Sequence, residues 1–149
     1  MAGLKAYDDL IMDHIKNARN FRVLADATHR ADGSNPLCGD ELAVYLKLDG
    51  DRVADASFQC TCCGISMASA SLMTESVRGK STDEARALLT GLVAALTARA
   101  DPASSKADPA QFALLNAVQE FPARTRCAAL PWVTLEAALD NRHTPVSVE

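Results

Sequence analysis

The sequence predicts an α+β domain, and three patterns carry that prediction: helical periodicity at the N-terminus, a short alternating stretch before residue 60, and helical periodicity through the second half. Leu4, Tyr7, Leu10, Ile11, Ile15 and Ala18 recur at three- and four-residue intervals, with Asp8, Asp9, Lys16 and Asn17 opposite. From Glu41 the period changes to two, and from Ser81 it returns to helical spacing. The expected plan is an N-terminal helix, a small three-stranded antiparallel sheet and a C-terminal helical half. All of it fits one domain over residues 1–149.

The first helix should cover residues 4 to 20 and lie across the rest of the domain. A strand is expected around Ala27 to Ala31. The polar run Asp32-Gly33-Ser34-Asn35-Pro36 reads as a turn or loop, because Gly33 tolerates positive φ and Pro36 restricts Asn35. That loop would deliver Cys38. Leu42, Val44, Leu46 and Leu48 form one face of a strand, Asp49-Gly50 a hairpin turn, and Val53 to Phe58 the partner strand. Ile65 to Lys80, rich in Ala, Ser and Met, reads as a helix that packs closely on the sheet and ends at Gly79.

Ser81 followed by Glu84 matches a capping box, and Ala85, Leu88, Leu89, Leu92, Val93 and Leu96 carry a helix to about Ala100. Residues 101 to 108 form a connector, after which Asp108 can cap a helix with Pro109 at its first position. A turn at Phe121-Pro122 leads to Cys127. Leu130 to Leu139 reads as the last helix, with Pro131 in its first turn, and residues 141–149 as a frayed tail.

Composition narrows the function classes. The 149 residues, 48% of them hydrophobic, supply a single core. A net charge of -4 with scattered Lys and Arg argues against nucleic-acid binding, which runs on clustered basic residues. No apolar run approaches the ~20 residues of a membrane span, and MAGLKAYDD lacks the basic start and apolar stretch of a secretory signal. A soluble, cytoplasmic protein is expected. Five cysteines, an odd number, fit a paired disulfide framework poorly, so metal binding or thiol chemistry comes first.

Cys38-Gly39-Asp40 sets a thiolate and a carboxylate two residues apart across a glycine, close enough to bind one ion if the loop folds back. Zinc accepts both donor types and stabilises thiolates below the free thiol pKa of ~8.5. Cys63 stands at the start of the Ala/Ser helix, where the dipole favours a thiolate, and Cys127 stands just before the last helix. Both can meet the loop. Other readings stand beside this one: Cys127 as a buried small hydrophobe, Asp40 as a turn residue, and Cys60-x-x-Cys63 as a redox dithiol or half of an all-cysteine zinc site. His14, His29 and His143 read as surface or helix-face residues, Met67 and Met73 as core filler, and Arg124 and Arg126 as solvent-exposed charges.

Four stretches in order, DLIMDHIKNARN, NPLCGDEL, GISMASASLMTE and FPARTRCAALPW, together resemble the SufU group of the IscU/NifU-like family. The resemblance implies an α+β fold with a three-stranded sheet, one zinc ion per chain, and receipt of persulfide sulfur from a SufS-type cysteine desulfurase for iron–sulfur cluster assembly. Downstream assembly proteins would be further partners. The family ligands fall on Cys38, Asp40, Cys63 and Cys127, and Cys38 is the implied sulfur acceptor. In related cluster scaffolds a histidine ligand precedes the last cysteine. Arg126 here is similar to the zinc-dependent sulfur-transfer type.

One departure stands out, since the family usually has glycines where this chain has Cys60 and Cys62. The change alters backbone freedom and offers zinc extra partners. Cys62 could replace Asp40 in one state, or pair with a thiol of the Cys60 region under oxidation. Two rival functions use the same residues: an iron–sulfur cluster scaffold, and a non-catalytic zinc-stabilised interaction module.

Overall fold

The alternation that begins near Glu41 builds the centre of a sheet. In the computed structural model, which describes residues 9–36, 39–98, 114, 118, 122–142 and 144–147, β2 (Asp40–Asp49) and β3 (Arg52–Thr61) form an antiparallel hairpin. Leu42, Val44 and Leu46 point into the core as the period requires. Asp49 pairs with Arg52, so the turn is Gly50-Asp51, with Gly50 in the left-handed region at φ +62°. A bulge follows, because Lys47 faces Asp55 while Leu48 faces Val53, leaving Ala54 as the extra residue.

On the other side of β2 lies β1 (His29–Asn35), and here the sequence expectation is corrected. The polar run Asp32 to Asn35 is not a loop but the second half of the strand. Ala31, Gly33 and Asn35 alternate inward, while Asp32 is exposed and Ser34 half-buried on the outer face. Gly33 serves close approach rather than a turn: a Cβ on it would stand 2.1 Å from Thr134 Oγ1. β1 ends at Asn35 and β2 opens at Asp40; between them the Gly39 N–H donates to the Asn35 carbonyl at 2.9 Å and Gly39 sits at φ +73°.

The sheet is also larger than expected. β4 (Val146–Ser147), from the segment read as a frayed tail, pairs parallel with Gly33 and Ser34 and gives a mixed four-stranded sheet in the order β3-β2-β1-β4. Two residues are too few to show a period, so this strand left no pattern to read.

Helices cover one face. α1 (Asp9–Lys16) packs on α2 (Gly64–Val77), and α2 packs on β3. The part of the first expected helix before Asp9 lies outside the described residues. α2 is buried nearly all round, including Ser66, Ser69, Ser71 and Thr74, and Gly79 follows it at φ +83°. α3 (Thr82–Ala98) opens on the predicted capping box: the Glu84 N–H donates to Ser81 Oγ and the Ser81 N–H to Glu84 Oε1, each at 3.1 Å. The connector lies outside the described residues, and of the helix expected to start at Asp108 two residues are described, Leu114 and Val118, both helical and buried.

A 3₁₀ turn at Pro122–Arg124 leads into α4 (Thr125–Leu139), which packs on β1, β2, α2 and α3. The expected start at Leu130 is therefore corrected to Thr125, and Pro131 lies inside the helix rather than in its first turn. Proline lacks the N–H that would bond the carbonyl of Cys127, four residues earlier. Ser66 Oγ of α2 donates to that carbonyl instead, at 2.9 Å. No described helix is long and apolar enough to cross a membrane.

Candidate metal centre

Three element ends meet at one point. Asp40 opens β2, Cys63 is the N-cap of α2, and Cys127 lies in the first turn of α4. One ligand atom from each lies within 4.8 Å of the other two. Asp40 and Cys127 are buried and Cys63 is half-buried, so the group lies inside the fold with one sulfur toward its edge. Cys127 stands inside α4, not before it as expected from the sequence.

A hydrogen-bond frame fixes these three residues. The Cys63 N–H donates to Asp40 Oδ1 at 2.9 Å, so a carboxylate from another strand occupies the N-terminus of α2 where the helix dipole favours it. Ser66 Oγ donates to Asp40 Oδ2 at 3.0 Å and to the Cys127 carbonyl at 2.9 Å, one hydrogen lying between two acceptors. Cys63 Sγ is 3.6 Å from the same hydroxyl, and Asn35 Nδ2 donates to Cys127 Sγ at 3.7 Å. Ser66 thus touches all three members.

The Cys63 thiol is pulled down to a pKa of about 6. Its hydrogen bond with Cys127 contributes most, and the N–H and hydroxyl of Ser66 add to it, against burial and the Asp40 charge. The Cys63–Cys127 pair thus favours a thiolate at Cys63. Two sulfurs and a carboxylate oxygen are a donor set that zinc accepts, and tetrahedral zinc places such atoms about 3.3–3.8 Å apart, inside the separation found here. The residues fit a metal ion.

Of the four residues expected to converge, the structure brings Asp40, Cys63 and Cys127 together. Cys38 lies outside the described residues; its sequence neighbour Gly39 belongs to the turn that ends at Asp40. Cys60 and Cys62 are joined by a disulfide, so neither is a free donor and the Cys60-x-x-Cys63 pairing does not form. His14 departs from the surface reading: it is buried, with Nδ1 2.6 Å from Ser71 Oγ and Nε2 3.4 Å from Glu75 Oε1. Burial first, then Arg19, lowers its pKa. His143 lies outside the described residues. Met73 is fully buried, while Met67 packs beside Cys60.

Sequence reasoning missed Ser66 and Asn35. Both read as ordinary polar residues. The available signal was position, since Ser66 follows Cys63 by three residues at the start of a helix and can fold back on its N-terminus.

The family model described as NifU-like N terminal domain matches residues 6–128. A relative from Bacillus subtilis, zinc-dependent sulfurtransferase SufU, is 42% identical over 130 residues, spanning 87% of this chain and 86% of the relative. The iron–sulfur cluster assembly scaffold protein IscU of Streptococcus pyogenes is 35% identical over 89% of this chain and 82% of its own length. Among solved structures, a candidate scaffold protein for the SUF system from Fervidobacterium islandicum superposes with a TM-score of 0.76 at 31% identity. It covers 90% of this chain and 96% of that one.

Proposed function

Because this chain belongs to the NifU-like N-terminal domain family, we propose that it is a zinc-dependent sulfur-transfer protein that takes persulfide sulfur from a SufS-type cysteine desulfurase for iron–sulfur cluster assembly. The observation that carries the reading is the convergence of Asp40, Cys63 and Cys127 on one point, two soft donors and one hard donor from three separate elements. One zinc ion per chain, with Cys38 as the fourth ligand, completes the proposed set. Exposed Arg126 beside Cys127 supports sulfur transfer over a scaffold role, since the position holds no imidazole.

Zinc, when bound, supplies charge that keeps thiols deprotonated and adds no redox chemistry. The chain's own residues do the rest. Cys38 is the proposed acceptor: its thiolate attacks the outer sulfur of a desulfurase Cys-S-SH, the S–S bond breaks, and the desulfurase cysteine leaves as thiolate. The product is a Cys38 persulfide. Asp40, bonded to the Cys63 N–H and the Ser66 hydroxyl, holds the end of the turn in place while Cys38 changes partners. Cys127 and Cys63 act as anchors. Proteins that build clusters would receive the sulfur next.

The test is metal content together with persulfide mapping on every cysteine after incubation with a desulfurase and cysteine. One colourless zinc per chain and a 32-dalton addition at Cys38 are expected, and Cys38→Ala should abolish stimulation of the desulfurase with the fold intact. Full stimulation by Cys38→Ala would overturn the acceptor assignment. A brown iron–sulfur chromophore on the purified protein would favour the scaffold role that the IscU relatives carry in name.

A further inference from the structure

The disulfide next to the metal centre has no structural work that explains it. Cys60 and Cys62 are two residues apart, so the bridge closes a minimal loop and removes little entropy from the unfolded chain. Cys60 is already held opposite Leu42 in the β2–β3 ladder. Its sulfur lies 4.0 Å from Met67 Sδ, on the face of β3 that meets the first turns of α2. Cys62 is half-buried and directly precedes Cys63, a Cα step of about 3.8 Å from a residue of the centre. Two thiols that can bridge thus stand at the edge of a site built from thiols.

We propose that Cys60 and Cys62 are a redox pair that reduces sulfane sulfur, held as persulfide at the adjacent centre, to sulfide, and that the Cys60–Cys62 bridge is the oxidised product of that step. The inference rests on the sulfur-transfer reading for its supply of persulfide. The chemistry balances within the chain. The Cys62 thiolate attacks the outer sulfur of the carrier's S–SH, giving Cys62-S-SH and releasing the carrier thiolate. The Cys60 thiolate then attacks the inner sulfur of Cys62-S-SH, the disulfide forms, and HS⁻ leaves. The sulfane sulfur gains two electrons, and the two thiols lose them. An external thiol of the ordinary cellular kind resets the pair by two exchanges. The acceptor would thereby release sulfur at the oxidation level that an iron–sulfur cluster contains.

The test uses the full zinc-loaded chain, reduced, freed of reductant and kept without oxygen. One arm supplies persulfide from a desulfurase with cysteine limited to about one equivalent per chain, so that no free thiol is left to reset the pair, and the other supplies about one equivalent of glutathione persulfide. The expected result is about one sulfide per chain in a single turnover, in step with loss of two hydrogens from the peptide holding Cys60 and Cys62. Cys60→Ser/Cys62→Ser should release sulfide at least about tenfold more slowly and retain the added sulfur. The wild-type correlation needs no variant to fold. Sulfide release in the glutathione persulfide arm alone, with the bridge forming, supports the inference while removing the desulfurase reading. Sulfide released with Cys60 and Cys62 still as thiols, or no sulfide in either arm, overturns the inference, and a persulfide that persists at Cys38 in the desulfurase arm leaves the transfer reading standing.

Discussion

Ser66→Ala tests the frame of the centre most directly. The substitution removes one hydroxyl hydrogen that lies between Asp40 Oδ2 and the Cys127 carbonyl. Asp40 keeps its bond from the Cys63 N–H, whereas the Cys127 carbonyl faces Pro131, which has no N–H to offer. Losing one buried hydrogen bond and weakening a second, to a carboxylate, should together cost about 2–4 kcal/mol. For a chain of this size the midpoint of thermal unfolding should fall by roughly 5–12 °C.

Pro131→Ala sharpens this test. It supplies the missing helical N–H to the Cys127 carbonyl, so Ser66→Ala should cost about 1 kcal/mol less in that background than alone. Urea unfolding of all four members of the cycle, with a chelator present, measures both numbers. Equal costs in the two backgrounds would refute the claim that Ser66 stands in for the proline's absent donor.

Three further outcomes follow from the same structure. Gly33→Ala places a methyl 2.1 Å from Thr134 Oγ1 and 3.2 Å from Leu130 Cδ1, and should destabilise by about 3 kcal/mol in urea, with partial recovery by Thr134→Ala. Asp40→Asn keeps an acceptor for the Cys63 N–H but loses the anionic donor and the oxygen that accepts from Ser66, so zinc affinity in a chelator competition should fall at least about tenfold and the apo unfolding midpoint should fall as well. Burial and Arg19 hold the folded pKa of His14 below 6.5, so the unfolded chain binds more protons there. Stability from this group is complete above pH 6.5 and declines as pH falls toward the folded value. Unfolding free energies measured across that window should show the slope, and His14→Gln should flatten it.

The hairpin, the Ala/Ser helix and the capping box were legible because each rests on local chemistry. Leu42, Val44 and Leu46 show their period, and Ser81 and Glu84 state a helix start within four residues. Asp32 to Asn35 misled because polar composition outweighed alternation, and Gly33 was read as a turn former when its role is to let α4 pass. Pro131 misplaced the start of α4 for a related reason: the donor that tolerates it comes from Ser66, 61 residues earlier in the chain than Cys127. Of the centre, Asp40 carries a local signal and Cys63 a helix-start signal. Cys127 carries neither, because what brings it there is the docking of α4 on α2, a long-range event without local pattern.

The separation of these parts along the chain also orders events during synthesis. Asp40, Cys63 and Ser66 leave the ribosome well before Cys127, and at about 5–20 residues per second the 61 residues between Ser66 and Cys127 take roughly 3–12 s. For that interval the nascent chain displays a carboxylate and a cysteine with no closing sulfur and no α4 to shield them. Metal capture or oxidation in that window would act on an incomplete site.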